Sequence, residues 1–246
     1  MDLTGQTILK RYRLDVLMDR GNLFSTYRAW DERSAAFTIL TLLDDSIMDD
    51  RALLQRLERE AGAIAAFRHP QAVRSSGLEI HRKCALLFSD DIQGVSLQSE
   101  LEAAQGRLSI PRVLEVLETV CKTLQAAHQA GLIHGNLSPR AIFTRPSGTI
   151  MLAGFSLPAL VERPIPINTS PYTAPETRKG LPLTPQADIY ALGVLLHTLL
   201  TDGKAPIPTS YKTIVMKCLD ASPARRFTTP LELFDQFSAV ARITLT

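Results

Sequence analysis

The chain has 246 residues, 45% hydrophobic and 21% charged, and its 27 Lys and Arg nearly balance 25 Asp and Glu, for a formal charge of +2. That length and balance build a large buried core, as one bilobal unit or two small domains, and exclude a disordered chain. No basic block with interleaved aromatics marks a nucleic-acid surface, so nucleic acid is not an expected partner.

From Arg11 to Leu43 three short apolar stretches, Tyr12 to Leu17, Ser25 to Trp30 and Phe37 to Leu43, are separated by the turn-forming runs Asp19-Arg20-Gly21-Asn22 and Asp31-Glu32-Arg33-Ser34. An antiparallel meander is predicted there. Leu53, Leu57, Ala61, Ile64 and Phe67 then recur at three- and four-residue spacing before Pro70. That spacing predicts one amphipathic helix from Asp49 to Phe67. Two more strands are expected, around Val73 to Ile80 and Cys84 to Ser89, with Asp90 to Ser96 as a polar connector. Beyond it Val113, Leu117, Val120, Cys121, Leu124 and Ala127 share a helical face between Pro111 and Ala130, closed by Gly131. Asp188 to Leu200, Thr213 to Leu219 and Leu231 to Ile243 repeat the helical character. A strand-rich first third followed by helices, with no fixed-period repeat, predicts an α+β fold in two lobes.

Cys84, Cys121 and Cys218 are odd in number and far apart, with no CxxC pair, so they read as reduced, mostly buried thiols. Met1 to Arg13 has no apolar run of signal-peptide length. Ala191 to Leu200 is about half of the ~20 residues that a membrane span requires. A cytoplasmic chain without a membrane span is expected.

The stretch His134-Gly135-Asn136-Leu137-Ser138-Pro139-Arg140-Ala141 keeps the frame of a catalytic loop. It resembles the H-R-D-L-K-P-x-N loop of serine/threonine protein kinases, with His134, Leu137 and Pro139 matching. In that family the Asp takes the substrate hydroxyl's proton, the Lys steadies the phosphoryl group and the Asn holds a metal ion. Here those places hold Asn136, Ser138 and Ala141. An amide is no base near neutral pH, and a methyl group cannot ligate magnesium.

From about Arg11 to Val240 the chain resembles a bacterial serine/threonine kinase domain of the Hanks type. Asp19, Gly21 and Phe24 stand at the three glycines of G-x-G-x-x-G, where glycine lets backbone amides approach phosphates. Phe37-Thr38-Ile39-Leu40 fits V-A-I-K, which puts Leu40 at the lysine. Thr26 and Thr38 fall at the Val and Ala that meet the adenine, with Phe143 at the leucine-like position opposite. Gly154-Phe155-Ser156 fits D-F-G and lacks its metal-binding aspartate. The resemblance therefore implies little or no ATP and magnesium binding and no metal site.

Retained positions are architectural. Glu60 matches the helix glutamate, and His134, Phe155 and Ile64 match three members of the hydrophobic spine. Ala174-Pro175-Glu176 is an A-P-E, Arg226 matches the buried partner of its glutamate, and Asp188 and Gly193 match the helix that holds the catalytic loop. Thr169 falls at the loop threonine and is a possible phosphosite. The chain between Leu200 and Arg226 is shorter than the family's and leaves little room for the usual helix and loop after Thr201.

The expected organisation is a first lobe over residues 1–92 and a second over 93–246, with the helix-and-loop region after Thr201 shortened. The expected function is that of a pseudokinase, an inactive homologue rather than an enzyme. It would act as a binding or regulatory scaffold in bacterial signalling, towards an active kinase or a phosphopeptide-binding domain. An atypical kinase or nucleotide-transferring enzyme and a purely structural module are the alternatives.

Overall fold

A computed structural model describes residues 2–21, 23–81, 84–161, 170–201 and 206–245. The chain divides into two compact units, residues 1–68 with 73–92, and residues 69–72 with 93–246. Residues 69–72, inside the stretch assigned from sequence to the first lobe, group with the second unit. There Leu152 N–H donates to Gln71 O at 2.7 Å and Gln71 Nε2 donates to Thr119 Oγ1 at 3.3 Å.

The first unit is an antiparallel sheet in the order β1-β2-β3-β4-β6-β5 with one long helix. Its strands are β1 Thr7–Ile8, β2 Tyr12–Arg20, β3 Phe24–Asp31, β4 Ala36–Leu43, β5 Ser75–His81 and β6 Cys84–Asp90. The helix α1, Arg51–Ala66, starts where the Asp50 carboxylate accepts from Leu53 N–H at 3.0 Å and buries Leu53, Leu57 and Ala61 beside β5. One sheet face carries Tyr12, Leu14, Tyr27, Ala29, Leu40, Leu86 and Phe88, which form a single buried cluster. Asp31, at the end of β3, holds the incoming chain by accepting from Arg11 Nε and Nη2, both at 2.6 Å.

The second unit is mainly helical. A small sheet of β7 Val95–Ser96, β8 Ile142–Thr144 and β9 Ile150–Leu152 lies with α2 Leu97–Ala103 and α3 Ile110–Gln129. Then come two four-residue helices, α4 Pro158–Val161 and α5 Pro175–Arg178, and three longer ones, α6 Pro185–Thr201, α7 Thr209–Cys218 and α8 Pro230–Leu245. α3 packs on α8 and α6 on α7 around one core that includes Val116, Leu124, Leu192, Tyr211 and Phe237.

Gly193 sits where α6 meets α7. A Cβ there would collide with the Cβ of Cys218, so only glycine lets the helices approach this closely. Tyr211 of α7 stacks on Phe237 of α8 with centroids 4.8 Å apart. Residues 202–208 separate α6 from α7.

Helix and strand positions follow the sequence periodicity closely. The elements it missed are short: β1, β7, β8, α2, α4 and α5, none longer than seven residues. Too few residues lie in each for a hydrophobic period to register. Among the described residues no helix is long and apolar enough to cross a membrane.

Candidate functional site

The His134 loop belongs to the second unit and is positioned from α6. Asp188, in the first turn of that helix and 1% exposed, accepts from His134 N–H at 2.9 Å and from Gly135 N–H at 2.8 Å. His128 Nε2 donates to the same carboxylate at 2.8 Å. One buried carboxylate thus fixes two consecutive peptides and is itself fully satisfied.

The His134 ring is fully buried. Its Nε2–H donates to Ala153 O at 2.8 Å and its Nδ1 accepts from Asn136 N–H at 3.2 Å. Those partners select the neutral tautomer, and burial holds the imidazole below its usual pKa. The Phe155 ring packs on it with centroids 4.7 Å apart.

Around this frame stand the replaced positions. Asn136 and Gly154 are both exposed, and Gly154 has φ +77°, with the Asn136 Nδ2 4.0 Å from where its Cβ would be. Ser138 precedes a short 3-10 turn, Pro139–Ala141, whose Ala141 is buried. Ala141 O accepts from Ala153 N–H at 2.8 Å. Phe143, in β8, stands opposite Met151 on one side and Ser96 on the other.

A magnesium ion does not fit the family's position here. The buried methyl of Ala141 and the absent side chain of Gly154 supply no oxygen. Among the described residues no group of three or more His, Cys, Asp or Glu could hold a metal ion.

Downstream, the Glu176 carboxylate in α5 accepts from Arg226 Nη1 at 2.6 Å and Nη2 at 2.7 Å. Arg226 also donates to Gln186 O at 2.8 Å and to Asp220 O at 2.9 Å, so a buried guanidinium ties α5, α6 and the turn before α8 together. Arg178 holds the stretch before α5 through Thr173 O, at 2.9 Å, and Ser170 O and Pro171 O, both at 3.3 Å. Thr169 lies outside the described residues.

In the first unit, Asp19 lies at the end of β2, Gly21 directly follows that strand and Phe24 opens β3. The Phe24 ring folds directly over Gly21, where a Cβ would strike it. Asp19 is exposed, and its carboxylate accepts from Arg20 N–H at 2.8 Å. Glu60 pairs with Arg56 of its own helix, Nε to Oε1 at 2.8 Å.

The register corrects the reading of Thr26 and Thr38 as one surface. Thr26 stands opposite Thr41 and Thr38 opposite Ala29, and residues three apart on a strand point to opposite faces. The Thr26 hydroxyl lies 2.8 Å from that of Thr41, while Thr38 Oγ1 donates to Ser89 O at 3.0 Å. Leu40 shares the Thr38 face and is fully buried with Tyr27, Leu86 and Phe88. It is a core residue.

The Thr26 face instead carries Arg28, which sequence reading passed over. Its guanidinium makes two 3.0 Å hydrogen bonds to Asp91 and lies 3.6 Å above the centre of the Phe37 ring. His128 was passed over too, and the hydroxyl of Ser156, read only as the last position of the D-F-G match, was given no role. His128 carried a weak signal, six residues before His134; the Ser156 hydroxyl and Arg28 carried none, since their partners are distant in sequence.

The family model of protein tyrosine and serine/threonine kinases matches residues 26–241. The chain therefore belongs to the protein kinase family. It is 29% identical over 231 residues to the serine/threonine-protein kinase PknA of Mycobacterium tuberculosis, covering 89% of this chain and 53% of that one. It is 21% identical to a probable serine/threonine-protein kinase of Clostridium perfringens, covering 98% of this chain and 40% of that one. The chain thus spans about half the length of the curated relatives it matches.

The crystal structure of the M. tuberculosis PknI kinase domain superposes with a TM-score of 0.73 at 20% identity, covering 97% of this chain and 98% of that one. The bilobal kinase fold, with a sheet-rich first part and a helical second, is that of this chain.

The expectation that the chain is not an enzyme is corrected by these matches. The matched family is one of kinases, and the relatives carry the name serine/threonine-protein kinase. Substituted motif positions state which groups are present at a site. They do not measure a rate.

Proposed function

We propose that this chain is a serine/threonine-kinase-family signalling domain whose distinctive work is regulatory binding of another protein, an active kinase domain being the partner. One contrast carries the reading: the frame built on Asp188 and on Glu176 with Arg226 is fully bonded, while Asn136, Ser138, Ala141 and Gly154 stand at the base, lysine and metal positions. A frame held this firmly presents a surface of fixed shape, which is what a docking partner reads. A phosphopeptide-binding domain is the second candidate partner.

Nucleotide binding is expected to be weak, because Leu40 brings no charge and Asp19 repels phosphate. A second reading is favoured by the relatives' names: phosphoryl transfer to protein serine or threonine, run by a different set of groups. Removing one preorganised charge-stabilising group costs about 100- to 1000-fold in rate, and several are replaced here.

Two measurements on the same preparation test the proposal. Phosphate incorporation by the chain is measured first, beside that of an active kinase domain. Adding the chain to that active kinase should change its rate saturably, near one-to-one stoichiometry. Full-rate transfer by the chain itself, with no effect on the added kinase, would reverse the assignment in favour of the second reading.

A further inference from the structure

Between β9 and α4 the chain turns through Ala153, Gly154, Phe155 and Ser156, and the way this turn is held uses groups that no kinase motif requires. Ser156 donates twice to one acceptor, its N–H to His134 O at 2.8 Å and its Oγ–H to the same oxygen at 2.9 Å. Gly135, the next residue along the loop, has φ +67°. A Cβ there would collide with the Ser156 Oγ and would lie 2.6 Å from Leu183 Cδ2. The hydroxyl of residue 156 thus occupies the space that a side chain at residue 135 would need.

We infer that Gly135 and Ser156 form a paired latch, a conformational device that fixes the turn after β9 against the His134 loop through this chain's own hydrogen bonds. The two residues work as one unit. Any side chain at 135 forces the Ser156 hydroxyl to rotate away and give up its bond to His134 O. Any residue without a hydroxyl at 156 leaves that oxygen with the backbone donor alone.

His134 cannot follow such a change, because Asp188 holds its N–H and Ala153 O holds its ring. The latch therefore sets where the next residues go, and Leu157 and Ala159 are buried directly beyond it. The hydrogen bonds that position this stretch come from the chain itself.

Hydrogen exchange on the full chain, with no nucleotide added, tests the latch. Ser156→Ala should speed exchange of the amides of residues 156, 157, 159 and 160 about fivefold, the factor one hydrogen bond contributes. Gly135→Ala should speed the same amides at least as much, since alanine must also take a positive φ. In the double variant the two effects should not multiply, because the bond is already lost after either change. Amides of α6 should be unchanged throughout.

A rise of less than twofold in Ser156→Ala, or effects that multiply in the double variant, would overturn the latch. If Gly135→Ala does not fold, Ser156→Ala decides alone by the same ratio. None of these outcomes depends on whether a partner protein binds.

Discussion

The His134 loop and the β3–β4 hairpin both carry residues other than those of the kinase motifs they resemble, and the structure places these residues differently. In the loop, Asn136 and Gly154 remain at the surface while buried polar groups behind them hold the backbone. In the hairpin, Leu40 has been taken into the core of the sheet. A residue that departs from the motif can thus stand at the surface or form part of the core. Only the first can be reversed without disturbing the fold.

The largest expected effect tests the frame behind the loop. Arg226→Ala leaves Glu176 buried without its partner, which costs ~3–5 kcal/mol, a large share of a domain's stability. The denaturation midpoint should fall steeply, or soluble protein should be lost. A midpoint near that of the unaltered chain would show that the frame does not depend on this pair.

The contrast itself is sharpened by putting the family's residues back one at a time. Leu40→Lys removes a fully buried leucine and forces an ammonium into its place, at a cost on the order of 3 kcal/mol. Asn136→Asp, at an exposed position, should stay within about 0.5 kcal/mol. Equal costs in urea melts would erase the distinction between the two regions.

A smaller effect depends on pH. Burial lowers the pKa of His134 and, less completely, of His69, so each is below its unfolded value near 6.5 when the chain is folded. The unfolded chain then binds more protons as pH falls. Stability from these groups is complete above about pH 6.5 and declines below it, by at most ~1.4 kcal/mol per pH unit for each histidine. Melting temperatures measured from pH 7 to 5 should drop, and His69→Gln should remove part of the slope. A flat profile would contradict a buried, neutral His134.

Long elements and ordered motifs were legible because their signals are local. The 16 residues of α1 and the 20 of α3 each repeat an apolar face several times. The face on which Leu40 and Thr38 lie was not legible, since it is set by pairing with β3 across a hairpin whose register no local pattern states. Ser156 escaped for a related reason. Its partner is 22 residues away in sequence, and its importance comes from what residue 135 lacks.

The close contact between Gly193 and Cys218 and the stacking of Tyr211 on Phe237 hold α7 in place independently of the segment that leads to it. The number of residues between α6 and α7 is then nearly a free variable, because doubling the length of a connection adds only ~0.6 kcal/mol of closure entropy. Descendants of a common ancestor could trim or expand this stretch and keep the same helices in register. Whatever differs there between relatives would be a record of what each one meets, written at almost no thermodynamic penalty.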